Sequence, residues 1–139
     1  MAQVEQSIIL DTSIVIKWFY EEEDWESADK LLEDISFTKR AIIVPRLFFY
    51  ELGNVLLSKK ADNEKVQFVQ KQLQELNLTV KDIQSNSITS IHSLARVYSL
   101  SFYDATYVFH MQQEQCAFIT ADKKLYGKLK NKFSKIKLL

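Results

Sequence analysis

The sequence predicts an α/β domain in which a mainly parallel sheet of four or five strands lies between two layers of helices. Short apolar runs rich in β-branched residues alternate with segments of helical periodicity along the chain. Such alternation builds βα units, whose parallel strands are covered by helices on both faces. Only two glycines and one proline occur, which disfavours loop-rich all-β folds. No repeat or composition break divides residues 1–139, so we expect one domain.

The first half of the chain predicts two strands and three helices. In chain order, we expect a strand over residues 7–10, a helix over 14–19, a helix over 25–35, a strand over 41–44 and a helix from about 46 to 59. Asp24 stands where the second helix begins and is a candidate N-cap. Pro45 follows the second strand and is expected to end it, because proline donates no ladder hydrogen bond.

The second half continues the same alternation. We expect a helix marked by Val66, Val69, Leu73 and Leu76, a strand over 78–80, helical segments over 88–98 and 105–109, a strand over 116–120, a helix marked by Leu125, Leu129 and Phe133, and a closing strand over 136–138. Together these elements give the predicted three-layer arrangement.

Four acidic residues occupy positions that such a fold brings toward one edge of the sheet. Asp11 and Asp122 follow predicted strands, and Glu51 and Asp104 fall early in predicted helices. Ligands of open α/β sheets bind at the carboxyl ends of strands, where the chain order reverses. Converging carboxylates repel one another unless a cation neutralises them, and oxygen ligands favour Mg²⁺ or Mn²⁺. A site of this kind suits phosphodiester hydrolysis.

Each acid also has a purely structural interpretation. Asp11 and Asp122 precede helices and could act as N-caps. Ser101 and Asp104 match the spacing of a capping box, and Glu51 could be a solvated helix position. Spacing alone leaves these interpretations open.

The residues around the four acids form motifs that resemble those of one family. The motifs are residues 10–19 (LDTSIVIKWF), 49–56 (FYELGNVL), 101–108 (SFYDATYV) and 119–125 (ITADKKL). They resemble, in order and approximate spacing, the four motifs of PIN-domain nucleases of the VapC toxin type. The resemblance spans nearly the whole chain. Residues 111–115 depart from it, because relatives more often have small apolar residues there and a glycine that closes the helix.

The resemblance implies a metal-dependent endoribonuclease that uses Mg²⁺ or Mn²⁺ and acts as the toxin of a toxin–antitoxin pair. It assigns metal binding to Asp11, Glu51, Asp104 and Asp122. The Thr120 hydroxyl would support the metal or its water, and Ser13 is a weaker candidate for the same role. A homodimer, a small antitoxin protein and an RNA substrate are the implied partners. The aromatic residues 48–50 are expected to pack in the core or to form an exposed contact patch.

Three other functions are compatible with parts of the pattern. A PIN nuclease of RNA processing or decay, without an antitoxin, would use the same acids. A phospho-receiver signalling domain would need paired acids near the first strand and an aspartate after a central strand, and Asp11 stands alone. A binding module without catalysis is disfavoured by four intact acids. His92 and His110 have no partner at ligand spacing and are interpreted as structural.

The distribution of charge and the single cysteine bear on possible binding partners and on the cellular compartment. The formal net charge is zero, yet eight acids lie between Glu21 and Asp34, and seven lysines lie between Lys123 and Lys137. Each segment could be a solvated face, and the basic one could also attract a polyanion. A single cysteine, Cys116, fits a buried small side chain in a reducing cytoplasm. We expect no membrane span, and no signal peptide over residues 1–6.

Overall fold

The computed structural model describes residues 7–139 and contains one sheet of five parallel strands. The strands are β1 (Ile8–Leu10), β2 (Ile42–Pro45), β3 (Leu78–Lys81), β4 (Ala117–Thr120) and β5 (Ile136–Leu138). Their spatial order is β3-β2-β1-β4-β5. The chain therefore builds the sheet outward from β1 in one direction, and then adds β4 and β5 on the other side of β1.

Seven α-helices connect and cover the strands. They are α1 (Thr12–Val15), α2 (Trp25–Thr38), α3 (Leu47–Ser58), α4 (Asn63–Gln74), α5 (Ile88–Tyr98), α6 (Phe102–Glu114) and α7 (Lys123–Leu129), with short 3₁₀ turns at Ile16–Trp18 and Ser85–Ser87. The three-layer α/β/α architecture predicted from the sequence is confirmed.

The two faces of the sheet carry separate hydrophobic clusters because successive strand residues point to opposite sides. Ile8 and Leu10 pack with apolar residues of α1, α2, α3 and α4. Ile9 and Ile43 point to the other face and pack with Tyr107, Met111 and other residues of α6 and α7. β1 is fully buried along its length, as expected for a central parallel strand.

Local details differ from the sequence prediction at three places. Asp24 does precede α2, but its backbone is left-handed (φ 64°) and its side chain makes no cap hydrogen bond. Pro45 is the last residue of β2 and pairs in register with Lys81, rather than lying beyond the strand. α7 ends at Leu129, so Phe133 lies outside the helix and packs edge-on against Tyr98.

The order of the strands creates a switch point between β1 and β4. β1 pairs in parallel with both β2 and β4, and the connections leaving the carboxyl ends of β1 and β4 diverge. The carboxyl edge of the sheet at such a switch point is where α/β proteins usually bind ligands.

Within residues 7–139, none of the helices combines the length and the apolar character that crossing a bilayer requires. The expectation that residues 1–6 are not a signal peptide concerns a segment outside the described residues. Cys116 is buried with a free thiol, as predicted from its isolation in the sequence.

Candidate active site at the carboxyl edge of the sheet

All five predicted site residues stand at the carboxyl end of the sheet or on helices that begin near it. Asp11 directly follows β1, Thr120 ends β4, and Asp122 precedes α7. Glu51 lies in the second turn of α3, which leaves the carboxyl end of β2. Asp104 lies in the first turn of α6.

Asp11 is a nearly buried carboxylate that is held by two hydroxyl groups. Thr120 Oγ1 donates to Asp11 Oδ2 at 2.6 Å, and the Ser13 hydroxyl and backbone N–H both donate to Oδ1. The pKa of Asp11 is raised to about 6, mainly by burial; the negative charge of Asp104 acts in the same direction, and the hydrogen bonds from Ser13 and Thr120 oppose the shift. The charged form of Asp11 is therefore unfavourable in the metal-free protein.

Thr120 and Ser13 connect the two loops that leave β1 and β4. Thr120 Oγ1 accepts a hydrogen bond from the Asp122 N–H at 3.1 Å, and Ser13 Oγ accepts one from the Ala121 N–H at 2.9 Å. The two hydroxyl oxygens lie 3.3 Å apart. This network fixes the orientation of Asp11 and supports a positioning role for both hydroxyl residues.

Glu51 is half-buried and bonded, so its interpretation as a solvated helix position is wrong. The Tyr107 hydroxyl donates to Glu51 Oε1 at 2.7 Å. Burial raises the pKa of Glu51, and the charges of Asp11 and Asp104 act in the same direction. Burial and the neighbouring Glu51 carboxylate raise the pKa of Tyr107, which keeps its phenol protonated as a donor.

The role of Tyr107 was missed at the level of sequence, although a signal was present. Tyr107 follows Asp104 by three residues and so lies on the same face of α6. A tyrosine one turn beyond a candidate ligand is a natural hydrogen-bond partner for a second ligand on a facing helix. The spacing does not show which helix faces α6, and that knowledge comes only from the fold.

The cap of α6 is Ser101 rather than Asp104. Ser101 Oγ accepts a hydrogen bond from the Asp104 N–H at 3.0 Å. Burial is the main cause that raises the pKa of the Asp104 carboxyl, followed by the charge of Asp122. The Ser101 hydroxyl and Lys128 oppose that shift in pKa.

Asp11 and Asp122 do cap helices, as the structural interpretation proposed. Asp122 Oδ1 accepts from the Leu125 N–H at 3.0 Å at the start of α7, and Asp11 Oδ1 accepts from the Ser13 N–H at 3.1 Å at the start of α1. Each of these bonds uses one carboxylate oxygen. Because the second oxygen of Asp122 is not required for the cap, capping and ligand binding are compatible at this position.

The acids influence one another electrostatically across four different elements. The charge of Asp104 raises the pKa of Asp11 and of Glu51, and the charge of Asp122 raises that of Asp104. In the described residues, no three acidic, histidine or cysteine side chains are close enough to hold one ion among them. The donor set is nevertheless composed of carboxylate and hydroxyl oxygens, which fits a hard divalent cation.

The remaining candidates occupy varied environments. His92 is exposed on α5, whereas His110 is buried in α6. Of the aromatic run beside Glu51, Phe48 is fully buried, Phe49 is 39% exposed and Tyr50 is 72% exposed. The run therefore contributes both to the core and to the surface of α3.

The departure from the family pattern lies at the end of α6. The helix ends at Glu114, and Gln115 adopts the left-handed conformation (φ 52°) that a glycine would adopt without strain. Gln115 thus occupies the helix-closing position at which the resembling family more often has glycine.

Comparisons with known proteins agree with this architecture. The structure resembles that of PAE2754 from Pyrobaculum aerophilum with a TM-score of 0.64 and 21% sequence identity, covering 94% of this chain and 83% of the other. None of the curated proteins compared with the sequence matches it. Residues 8–129 match the PIN domain family, and this range contains the five predicted site residues. The chain belongs to the PIN domain family.

Proposed function

We propose that this protein is a metal-dependent endoribonuclease that uses Mg²⁺ or Mn²⁺ and serves as the toxin of a VapBC-type toxin–antitoxin pair. PIN domains are generally metal-dependent nucleases. The observation that carries the proposal is the set of mutually repelling acids at the switch point, where burial and like charge raise the pKa of Asp11, Glu51 and Asp104. A bound cation stabilises the charged form of carboxyl groups whose pKa has been raised by burial and by like charge.

In this proposal the cation is held by Asp11, Glu51, Asp104 and Asp122. When bound, it would acidify an attacking water and offset the negative charge on the phosphate. Thr120 fixes Asp11 by donating to Oδ2, and its variant Thr120→Val should lower metal affinity or activity by roughly ten- to a hundredfold.

Tyr107 fixes Glu51 in the same way, through its hydroxyl bond to Oε1. The positive charge of Lys128 acts on Asp104 and lowers the pKa of that carboxyl. Its ammonium donates to the Ser99 carbonyl at 2.6 Å, which holds it beside the start of α6. We propose that Lys128 helps to attract the RNA backbone to this edge.

The direct test is cleavage of total cellular RNA by the purified protein in Mn²⁺ or Mg²⁺. We expect cleavage that EDTA stops and that Asp11→Asn reduces below detection with an unchanged far-UV spectrum. Glu33→Gln, which removes an exposed carboxylate of α2, is the matched control and should retain full activity. Cleavage that survives complete chelation, or that Asp11→Asn retains, would refute the proposed mechanism.

The toxin role, the antitoxin, the homodimer and the cytoplasmic location are further parts of the proposal. The homodimer and antitoxin are supported by an apolar groove of about 490 Å³ between α3 and α4, lined by residues that include Leu52, Leu56, Val69 and Leu73. An adjacent small reading frame that encodes a DNA-binding protein, and growth arrest relieved by its expression, would support the pair. A gene that stands alone and causes no arrest would favour RNA processing or decay.

A further inference from the structure

A second cavity lies at the carboxyl ends of β2 and β3, where α3 and α6 begin. Its volume is about 250 Å³, below the usual range for drug-sized ligands. Its lining includes Arg46, Lys81, Phe102, Tyr103 and His110. The cavity therefore suits one small group rather than an extended ligand.

Two helices connect this cavity to the acid cluster. Leu47 lines the cavity and precedes Glu51 by one turn of α3. Phe102 and Tyr103 line it and directly precede Asp104 in α6. The cavity and the acid cluster therefore share the N-terminal turns of α3 and α6.

His110 gives the cavity an unused hydrogen-bonding group. The residue is 3% exposed, and its Nε2 has no hydrogen-bond partner among the described residues. A buried polar atom without a partner destabilises a fold, because its desolvation is not compensated. Phe109 packs against the imidazole ring with a centroid distance of 5.5 Å, which helps to fix the ring. The orphaned nitrogen thus points to a ligand with a complementary polar edge.

The charged groups of the rim are already paired. Arg46 Nε and Nη2 donate to Asp82 at 2.7 and 3.0 Å, and Lys81 lies 3.2 Å from Glu114. Because these charges compensate one another, the cavity favours a neutral heterocycle over a phosphate. Tyr103, which is 64% exposed, adds an accessible aromatic face on which such a ring can stack.

We propose that this cavity binds one unpaired nucleobase of the RNA next to the phosphodiester bond that is cut. The proposal rests on the proposed ribonuclease function and gives it a source of sequence preference. The base stacks on Tyr103 or Phe102, and His110 Nε2 hydrogen-bonds to its edge. RNA bases are read in this way when they are splayed out of single-stranded segments.

The test measures binding of four fluorescent eight-nucleotide RNAs in EDTA at low salt, so that no strand is cut. The RNAs are oligo(A), oligo(C), oligo(U) and an alternating A–G strand. We expect the wild-type protein to prefer one strand by about tenfold. His110→Leu and Tyr103→Ala should reduce that preference to about twofold or less, and His92→Leu, at an exposed histidine of α5, should retain it.

The variants also separate this role from a packing role. His110→Leu removes an unpaired buried nitrogen, so its stability should equal or exceed that of the wild type. If His110→Leu does not fold, Tyr103→Ala carries the test, since Tyr103 is exposed. Equal affinity for all four strands, or a preference that both variants retain, would overturn the base-binding site even if cleavage is observed. A clear base preference without cleavage in Mn²⁺ would instead refute the proposed nuclease function alone.

Discussion

The Asp11 carboxyl is costly to ionise in the metal-free protein. Its pKa is raised from 3.8 to about 6, mainly by burial, although three hydrogen bonds from Ser13 and Thr120 oppose the shift. Between these two pH values the folded chain retains a proton that the unfolded chain has released. The contribution of Asp11 to the free energy of unfolding is therefore fully present below about pH 4 and is lost as the pH rises through about 6.

This linkage predicts that the titration of Asp11 lowers the free energy of unfolding of the metal-free protein by roughly 3 kcal/mol between about pH 4 and about pH 7. Asp11→Asn should remove most of this slope. Urea unfolding in EDTA across the pH range measures it, and Glu33→Gln is the control that should keep the wild-type slope. A wild-type protein whose stability rises over this range, or an Asp11→Asn variant with an unchanged slope, would contradict this account of Asp11.

At the residue scale, the sequence singles out the four acids as candidate metal ligands but does not reveal their hydrogen-bond partners. Asp11, Glu51, Asp104 and Asp122 are recognisable because each stands at a strand end or an early helix position within a family-like motif. Tyr107 is not, since its bond to Glu51 joins residues 56 positions apart on two helices. The orphaned nitrogen of His110 is likewise invisible without the packing around α6.

At the element scale, the start of α6 separates capping from ligand binding. Ser101 supplies the cap, so Ser101→Ala should lower the free energy of unfolding by about 1 kcal/mol with or without Mn²⁺. Asp104→Asn should instead raise or preserve the melting temperature in EDTA, because it relieves repulsion from the other acids.

The same two variants, Ser101→Ala and Asp104→Asn, are also compared after Mn²⁺ is added. Wild type and Ser101→Ala should both gain stability with free Mn²⁺, whereas Asp104→Asn should gain much less. Thermal melts in EDTA and in Mn²⁺ provide the measurement. If Asp104→Asn is destabilised equally in both conditions, Asp104 is a structural residue and leaves the proposed site.

The other end of α6 provides an independent prediction. Gln115 has φ 52°, a left-handed conformation that strains a residue with a Cβ. Gln115→Gly should raise the free energy of unfolding by about 1 kcal/mol. Gln112→Gly, inside the same helix and also exposed, should lower it by a similar amount. Urea denaturation of the two variants tests this, and a loss of stability in Gln115→Gly would show that no strain is released there.

Element boundaries were less predictable than element types. The helical period continues through Phe133 because Phe133 packs against the same apolar cluster, although α7 ends at Leu129 and Phe133 lies in the irregular segment beyond it. A side chain that packs at the helical interval does not require a helical backbone. Asp24 has the chemistry of an N-cap, but the chain enters α2 from a left-handed residue, and this places its side chain differently.

At the scale of the whole molecule, the parallel sheet could be predicted because fully buried strands such as β1 have continuous apolar sequences. The strand order could not be predicted from the pattern alone. It depends on which side of β1 the strands β2 and β4 pair. That choice creates the switch point beside which Asp11 and Asp122 lie.

The basic segment of residues 123–137 lies on the β4–β5 side of the molecule, with Lys128 acting on Asp104. Lys128→Ala and Lys132→Ala should each weaken RNA binding and reduce the slope of log affinity against log salt by about one charge. Lys71→Ala, at an exposed lysine of α4, is the control. Salt titrations of RNA binding supply the measurement, and unchanged slopes in both variants would show that the segment is only a solvated face.

The central claim, that the acids form one divalent-metal centre, is tested most directly by isothermal titration calorimetry of Mn²⁺ into the metal-free protein. Measurements at about pH 6 in two buffers of different ionisation enthalpy also count the protons released. We expect binding that releases protons at this pH because the pKa of Asp11 is about 6, and Asp11→Asn should abolish both the binding and the release. Binding that Asp11→Asn leaves unchanged, or no binding to the folded wild-type protein, would contradict the account.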